Sequence, residues 1–125
     1  MRIALCQINP VIGDLRYNAA LILEAAEKAQ QAGCSLAVFP ELSLIGYPPK
    51  DLLERPAFVE ANLEALKHLA AELKGIHVLC GYVDRNPRDT GKALFNSVAL
   101  LRDGEILKKG GKRLLPTYDV FDETR

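Results

Sequence analysis

The sequence predicts an α/β fold in which helices are combined with a mixed β-sheet. Short apolar segments alternate with two longer segments of helical periodicity, an order typical of sheets with parallel strands. Asp103 and Gly104 lie between two later apolar segments, and this pair is typical of a hairpin that adds antiparallel strands. The length of 125 residues is usual for one domain.

The amino-terminal part is predicted to form a strand followed by a helix. Apolar residues alternate with others over residues 2–8, and Pro10 ends this first strand. Asn18 is expected to cap an alanine-rich helix that runs to about Ala32, with Gly33 as its carboxyl-terminal stop. The small side chains of this helix allow it to pack close to a sheet.

The next segment is predicted to be a buried strand, a long loop and a second helix. The apolar run 36–39 is bounded by Pro40, as expected of a buried strand. The loop continues to about Arg55, and Pro56 suits the first turn of a helix. The apolar residues of this second helix recur with a period near 3.6 and stop at Gly75.

Three further strands are predicted in the second half of the chain. They are expected to cover residues 77–83, 95–101 and 105–108, and the last two form the hairpin. The polar segment 84–92 is predicted to be a loop, and Gly110-Gly111 is expected to break the chain before Lys112. The tail over residues 114–123 has no clear period and is predicted to be an extended loop.

Composition and charge argue against several classes of function. Sixteen basic residues balance sixteen acidic ones, so nucleic-acid binding is not expected. The sequence has no apolar run of the length that a membrane span needs, and its amino terminus does not resemble a signal peptide. The three cysteines are widely spaced and form no metal-binding pair, which favours a reducing, cytoplasmic setting.

Glu41 is a candidate general base. It follows the predicted strand 36–39, and open α/β sheets place catalytic groups beyond the carboxyl ends of their strands. Phe39, Leu42 and Tyr47 are expected to exclude part of the water around Glu41, and partial desolvation makes a carboxylate a better base near neutral pH. On local chemistry alone, a solvated or helix-capping glutamate remains the alternative.

Two segments resemble the signature loops of the nitrilase, or carbon–nitrogen hydrolase, superfamily. They are PELSLIGYPPKDLL over residues 40–53 and KRLLPTYDVFDETR over residues 112–125. More narrowly, they are similar to the amino-terminal glutamine amidase domains of the glutamine-dependent NAD⁺ synthetases, as are RIALCQINPVIGDLRYN and FNSVALLRDGEI. The resemblance implies that residues 1–125 are the amino-terminal portion of a glutaminase domain. The implied fold is part of a nitrilase-like α-β-β-α sandwich, with a mixed sheet and helices on one face.

The resemblance also implies a Glu–Lys–Cys catalytic triad. Glu41 matches the general base, and Lys112 matches the lysine whose charge stabilises the thiolate and the oxyanion. Tyr118 matches a glutamine-contacting tyrosine, Glu123 a second glutamate that orients substrate and lysine, and Tyr47 an aromatic residue of the active-site wall. Without the resemblance, a solvated lysine at 112 and packing tyrosines at 47 and 118 remain open.

The nucleophilic cysteine of the triad has no match in this chain, because the resemblance places it beyond Arg125. The three cysteines present are expected to be small apolar fillers of the core: Cys6, Cys34 and Cys80. The chain alone is therefore expected to be inactive and to come from a longer protein. Half of a two-sheet sandwich exposes an apolar sheet face, so self-association into a homo-oligomer is also expected.

The function implied by the resemblance is hydrolysis of the side-chain amide of L-glutamine. The ammonia is expected to pass to a synthetase domain, outside this chain, that amidates deamido-NAD⁺ with ATP and Mg²⁺. Neither a cofactor nor a metal is expected in the chain itself, and its partners are L-glutamine and the remainder of its own protein. Two alternatives remain open: a free-standing amidase or nitrilase for another small amide or nitrile, and a non-catalytic interaction module.

Overall fold

A computed structural model describes residues 1–85 and 94–113 of the chain, with the backbone alone at Lys50, Lys112 and Arg113. Within these residues five strands form one sheet in the order β1-β2-β3-β4-β5. The strands are β1 (Ile3–Leu5), β2 (Leu36–Val38), β3 (His77–Arg85), β4 (Leu94–Arg102) and β5 (Glu105–Arg113). The first three are parallel and the last two are antiparallel to their neighbours, which confirms the predicted mixed sheet.

Helix α1 (Leu15–Gln31) begins three residues before Asn18. Its N-cap is Asp14, whose carboxylate accepts a hydrogen bond from the backbone N–H of Tyr17 at 3.1 Å. The prediction that Asn18 caps the helix is wrong, because Asn18 lies inside the first turns with its side chain fully buried. The predicted stop is confirmed, since the helix ends before Gly33, which has a φ of +85°.

Helix α2 (Pro56–Glu72) starts with a proline in its first turn, as the sequence predicts. A short 3₁₀ helix (Lys50–Glu54) precedes it. The buried positions of α2 repeat with the predicted helical period and are Val59, Asn62, Leu66, Leu69 and Ala70. The predicted second helix and its apolar stripe are therefore confirmed.

The core lies between the two helices and one face of the sheet. The register of β2, β3 and β4 places six fully buried side chains on that face: Ala37, Val78, Cys80, Tyr82, Ala99 and Leu101. They join one cluster with Ile22 and Ala26 of α1 and with Leu66 and Leu69 of α2. The opposite face is far less covered, since Leu5 of β1 is 81% exposed.

The hairpin between β4 and β5 confirms the turn predicted from Asp103-Gly104. Both residues have positive φ, 46° and 87°, as a two-residue type I′ turn requires. The turn is attached to the end of α2, because the Gly104 N–H donates to the Ala70 carbonyl at 2.8 Å. The Asp103 carboxylate accepts from the Gly75 N–H, also at 2.8 Å. The tip of the hairpin is thus held by the segment that follows α2.

Strand β5 extends further than the sequence predicts. The expected break at Gly110-Gly111 is wrong, because the ladder with β4 continues to Arg113. Gly111 lies opposite Ser97, and a Cβ at this position would come within 2.5 Å of the Ser97 Oγ. Glycine therefore allows the two strands to approach closely here instead of ending the strand.

The remaining predicted loops fall only partly within the described residues. Residues 84 and 85, predicted to open a loop, belong to β3. The rest of that loop up to residue 92, and the predicted tail from Leu114, lie outside the described residues. Among the described helices, none has the length and apolar character needed to cross a membrane.

Candidate active site

Glu41 lies at the carboxyl end of β2, in a turn formed by residues 40–46, which we call the Glu41 loop. After β2 the Phe39 N–H still donates to the Leu79 carbonyl of β3 at 2.9 Å. The chain then turns, and the N–H groups of Ile45 and Gly46 donate to the Leu42 carbonyl at 3.2 and 2.9 Å. Glu41 therefore occupies the predicted position beyond the end of a parallel strand.

The Glu41 loop rests directly on the backbone of β3. The Leu44 N–H donates to the Gly81 carbonyl at 3.0 Å, and the Ser43 hydroxyl accepts from the Gly81 N–H at 3.2 Å. A Cβ at Gly81 would collide with the Leu42 backbone nitrogen and would lie 3.0 Å from the Glu41 carbonyl carbon. The loop can approach β3 this closely only because residue 81 is glycine.

Asn18 holds the Glu41 loop from the side of α1. Its amide donates to the carbonyls of Leu44 at 3.0 Å and Val11 at 2.8 Å, and its oxygen accepts from the Val11 N–H at 2.7 Å. The Gly13 N–H adds a bond to the Ile45 carbonyl at 2.9 Å. The side chain that the sequence assigns to a helix cap thus joins two loops, because the buried carbonyls need a donor.

The interior of the Glu41 loop is apolar, whereas its glutamate points outward. Leu42, Leu44 and Ile45 are fully buried, and Glu41 is exposed. The expected shielding of Glu41 by Phe39, Leu42 and Tyr47 is not found, because Glu41 itself is exposed. Phe39 and Leu42 pack in the core, and Tyr47 is 57% exposed. The buried side chains anchor the loop, and the Glu41 side chain stays exposed.

Within the part of the chain that the structure describes, the Asn96 side chain contacts the Glu41 carboxylate. Its Nδ2 donates to the Glu41 Oε1 at 2.5 Å, and the Asn96 residue is only 6% exposed. No motif in the sequence points to Asn96. Its only signal is that asparagine is rare in strands, yet it stands within the apolar stretch that becomes β4.

The β4–β5 ladder places Lys112 directly opposite Asn96. On its other side, Asn96 is paired with Val83 near the end of β3. Strand β5 runs in the same direction as the parallel strands, so Lys112 lies toward the same end of the sheet as Glu41. In the described structure, Asn96 therefore contacts the Glu41 carboxylate with its side chain and pairs with Lys112 through its backbone.

Of the three other predicted site residues, Tyr47 lies within the described part of the chain. Tyr47 follows the Glu41 loop and is joined to Pro48 by a cis peptide bond. Tyr118 and Glu123 lie outside the described residues, so their predicted contacts with glutamine and lysine stay predictions.

Neither Cys80 nor Cys6 has the environment of a catalytic thiol. Burial raises the pKa of the Cys80 thiol to about 12, and its side chain faces the helices. Cys6 and Cys34 are half-buried and pack against the core, and burial also raises the pKa of Cys6. The thiolate is the reactive form of cysteine, so Cys80 and Cys6 are poor nucleophiles near neutral pH.

Two solved structures share this fold over most of the chain. The glutamine-dependent NAD⁺ synthetase from Acinetobacter baumannii superposes with a TM-score of 0.82 and 36% identity, covering 96% of this chain and 22% of that one. The amidase of Nesterenkonia AN1, a nitrilase-superfamily protein, superposes with a TM-score of 0.71 and 29% identity, covering 90% of this chain and 42% of that one. The predicted fold class, an amino-terminal part of a nitrilase-like fold, is confirmed.

Curated relatives give the same result. The glutamine-dependent NAD⁺ synthetase of Synechocystis sp. is 48% identical over 127 residues, which cover 98% of this chain and 23% of the relative. The synthetase of Thermotoga maritima is 40% identical, with 100% and 21% covered. The chain thus spans less than a quarter of the length of these relatives. The model of the carbon–nitrogen hydrolase family matches residues 2–124, and the protein therefore belongs to the carbon–nitrogen hydrolase family.

Proposed function

We propose that this chain supplies the general base and the lysine of a glutamine amidase, Glu41 and Lys112, within a glutamine-dependent NAD⁺ synthetase. The strongest support is the position of Asn96. Its side chain contacts Glu41, and its backbone pairs with Lys112 in the β4–β5 ladder. The two curated relatives, at 48% and 40% identity, are synthetases, which favours this role over a free-standing amidase or an interaction module.

In the proposed reaction, Glu41 takes the proton from a cysteine thiol as the sulfur attacks the amide carbon of glutamine. The Lys112 ammonium stabilises the thiolate and then the oxyanion of the tetrahedral intermediate. The carbon–nitrogen bond breaks, and Glu41 returns the proton to the leaving ammonia. Water then hydrolyses the thioester and releases glutamate.

The sulfur in this scheme comes from a residue beyond Arg125. The buried Cys80 does not serve, because its thiol stays protonated near neutral pH. Tyr47, Tyr118 and Glu123 are proposed to line the glutamine pocket. The ammonia is proposed to pass to a cytoplasmic synthetase segment that uses ATP and Mg²⁺, again outside these residues.

Substitution of the two triad residues tests this proposal in the complete enzyme. Glu41→Gln and Lys112→Ala are each expected to lower ammonia release from L-glutamine by about 10²- to 10⁴-fold, the range of a general acid–base group. NAD⁺ formation from externally supplied ammonia is the control and is expected to remain unchanged. Glutamine hydrolysis that survives both substitutions would contradict the assignment.

The isolated 125-residue chain is proposed to be inactive. The measurement is ammonia release from L-glutamine by the wild-type chain and by a Cys80→Ser variant. Both are expected to show only the background rate. Turnover that persists in Cys80→Ser would mean that the reaction does not use the proposed triad.

The isolated chain is also proposed to self-associate through the open face of its sheet. Ile3 and Leu5 of β1 and Val98 of β4 share this face, and they are 49%, 81% and 41% exposed. Such exposed apolar area favours contact with a second copy. Light scattering across micromolar concentrations is expected to show oligomers, and Leu5→Lys is expected to weaken them. A monomer at every concentration would contradict this.

A further inference from the structure

The Glu41 side chain is much less constrained than the backbone that carries it. The Glu41 loop is held by β3 and α1, but the glutamate side chain is exposed and has three rotatable bonds. Holding one rotamer of such a side chain costs up to about 2 kcal/mol in conformational entropy. A neighbouring side chain that holds Glu41 in one rotamer before the reaction therefore lowers the entropic cost of reaching the reactive geometry.

Asn96 has the properties of such a partner. It lies on β4, between two strands, with Val83 on one side and Lys112 on the other. It is almost completely buried, so its own short side chain has little freedom. Its amide donates to Oε1 of Glu41 at 2.5 Å. Because an amide does not titrate, this donor is present at every pH at which the enzyme works.

We propose that Asn96 is a positioning residue for the general base, an inference that rests on the role proposed above for Glu41. The Asn96 amide holds Oε1 of Glu41 and directs the other oxygen, Oε2, toward the proton to be transferred. The donor is neutral and leaves the negative charge of Glu41 uncancelled, so Glu41 stays able to accept a proton. Because Lys112 is the strand partner of Asn96, the same residue also links the base to the backbone position of the lysine.

Asn96→Leu tests this role in the complete enzyme, because leucine has a similar shape and no donor. We expect kcat for glutamine hydrolysis to fall about 10²-fold, the cost of a misplaced catalytic group, with KM changed less than about twofold. Asn96→Asp, which places a second carboxylate beside Glu41, is expected to lower kcat further at neutral pH.

Ser97→Ala is the matched control, since Ser97 is the buried polar neighbour on the same strand and pairs with Tyr82 and Gly111, away from Glu41. Its kcat and KM are expected to stay as in the wild type. An unchanged kcat in Asn96→Leu would overturn the inference. If Glu41→Gln leaves hydrolysis intact, the proposed function fails; if Glu41→Gln abolishes it and Asn96→Leu does not affect it, only this inference fails.

A measurement on the wild-type chain keeps the inference testable if the Asn96 variants do not fold. The side-chain amide resonances of Asn96 in ¹⁵N–¹H spectra are expected to shift as a carboxylate titrates. The same shift is expected to disappear in Glu41→Gln. Asn96 resonances that do not respond to pH in the wild-type chain would overturn the proposed contact.

Discussion

The Glu41 loop and the end of β5 that carries Lys112 are held in different ways. The loop is bonded to β3 through Gly81, to α1 through Asn18 and to itself through the Leu42 carbonyl. Strand β5 lies last in the order of the described sheet, and its ladder bonds run to β4. One candidate catalytic residue is thus fixed by several distant elements, and the other mainly by the register of a single strand pair.

This difference determines where each residue is sensitive to substitution. A change in β3 or α1 is expected to displace Glu41, although neither element carries a residue of the proposed triad. Apart from a substitution of Lys112 itself, a change on β5 is expected to displace the strand only where its residues contact β4. The two neighbouring glycines of β5 show this contrast, because a Cβ at Gly111 meets Ser97 whereas a Cβ at Gly110 meets nothing within 4 Å.

The largest effect is expected for Gly81→Ala. The new methyl group collides with the backbone of the Glu41 loop, which cannot give way as a flexible side chain would. We expect the free energy of unfolding to fall by about 3 kcal/mol, measured by urea denaturation. Gly110→Ala is the control and should change stability by no more than about 0.5 kcal/mol. Equal stability of the two variants would mean that the loop does not rest on β3.

Asn18→Leu is expected to have the next largest effect. It leaves the polar groups of Val11 and Leu44 without the Asn18 side chain, at a cost of about 2 to 3 kcal/mol. Asn62 is the comparison, because it is equally buried on α2 and bonds both the N–H and the carbonyl of Val83.

Hydrogen exchange distinguishes the two asparagines. Asn18→Leu is expected to speed exchange of the Leu44 and Ile45 amides in the Glu41 loop, whereas Asn62→Leu should speed exchange at Val83. Uniform loss of protection across the chain in both variants would show that the two contacts have no local role.

A smaller effect is expected for Gly111→Ala on β5. Its Cβ would lie 2.5 Å from the Ser97 Oγ and 3.0 Å from the Asn96 carbonyl oxygen. We expect a loss of about 1 to 2 kcal/mol, since an edge strand can shift outward. Ser97→Ala removes the closest atom, so the double variant should recover part of the loss in a double-mutant cycle. Strict additivity would show that this contact does not limit the approach of the strands.

The smallest effect concerns pH and the hairpin tip. The Gly75 N–H, helped by the neighbouring Arg102, holds the pKa of the Asp103 carboxyl below its ordinary value of 3.8. A depressed pKa adds stability above the pKa of the unfolded chain, and this stability is lost as pH falls through the folded value. Asp103→Asn is therefore expected to lose a little stability at pH 7 and nothing in strong acid. A difference that grows on acidification would contradict the sign.

The hairpin and α2 show which parts of the fold were predictable from local sequence. A two-residue hairpin turn requires positive φ, which Asp-Gly readily adopts. Proline at a first helical turn, followed by a 3.6-residue period, predicts α2 and its buried side. Strand β5 shows the limit, since Gly110-Gly111 resembles a break in isolation. The role of Gly111 depends on Ser97, which lies on the neighbouring strand β4.

For the site, the sequence alone identified Glu41 at a strand end and, by resemblance, the family and Lys112. The tertiary structure decided that Asn18 joins two loops instead of capping a helix, and that Asn96 binds Glu41 from a position 55 residues away. A local sequence pattern reflects the conformational preferences of residues within one turn or strand. Such preferences can be recognised from the sequence without the fold. A buried amide finds its partner only when packing brings distant segments together, so its role is set by the folded chain.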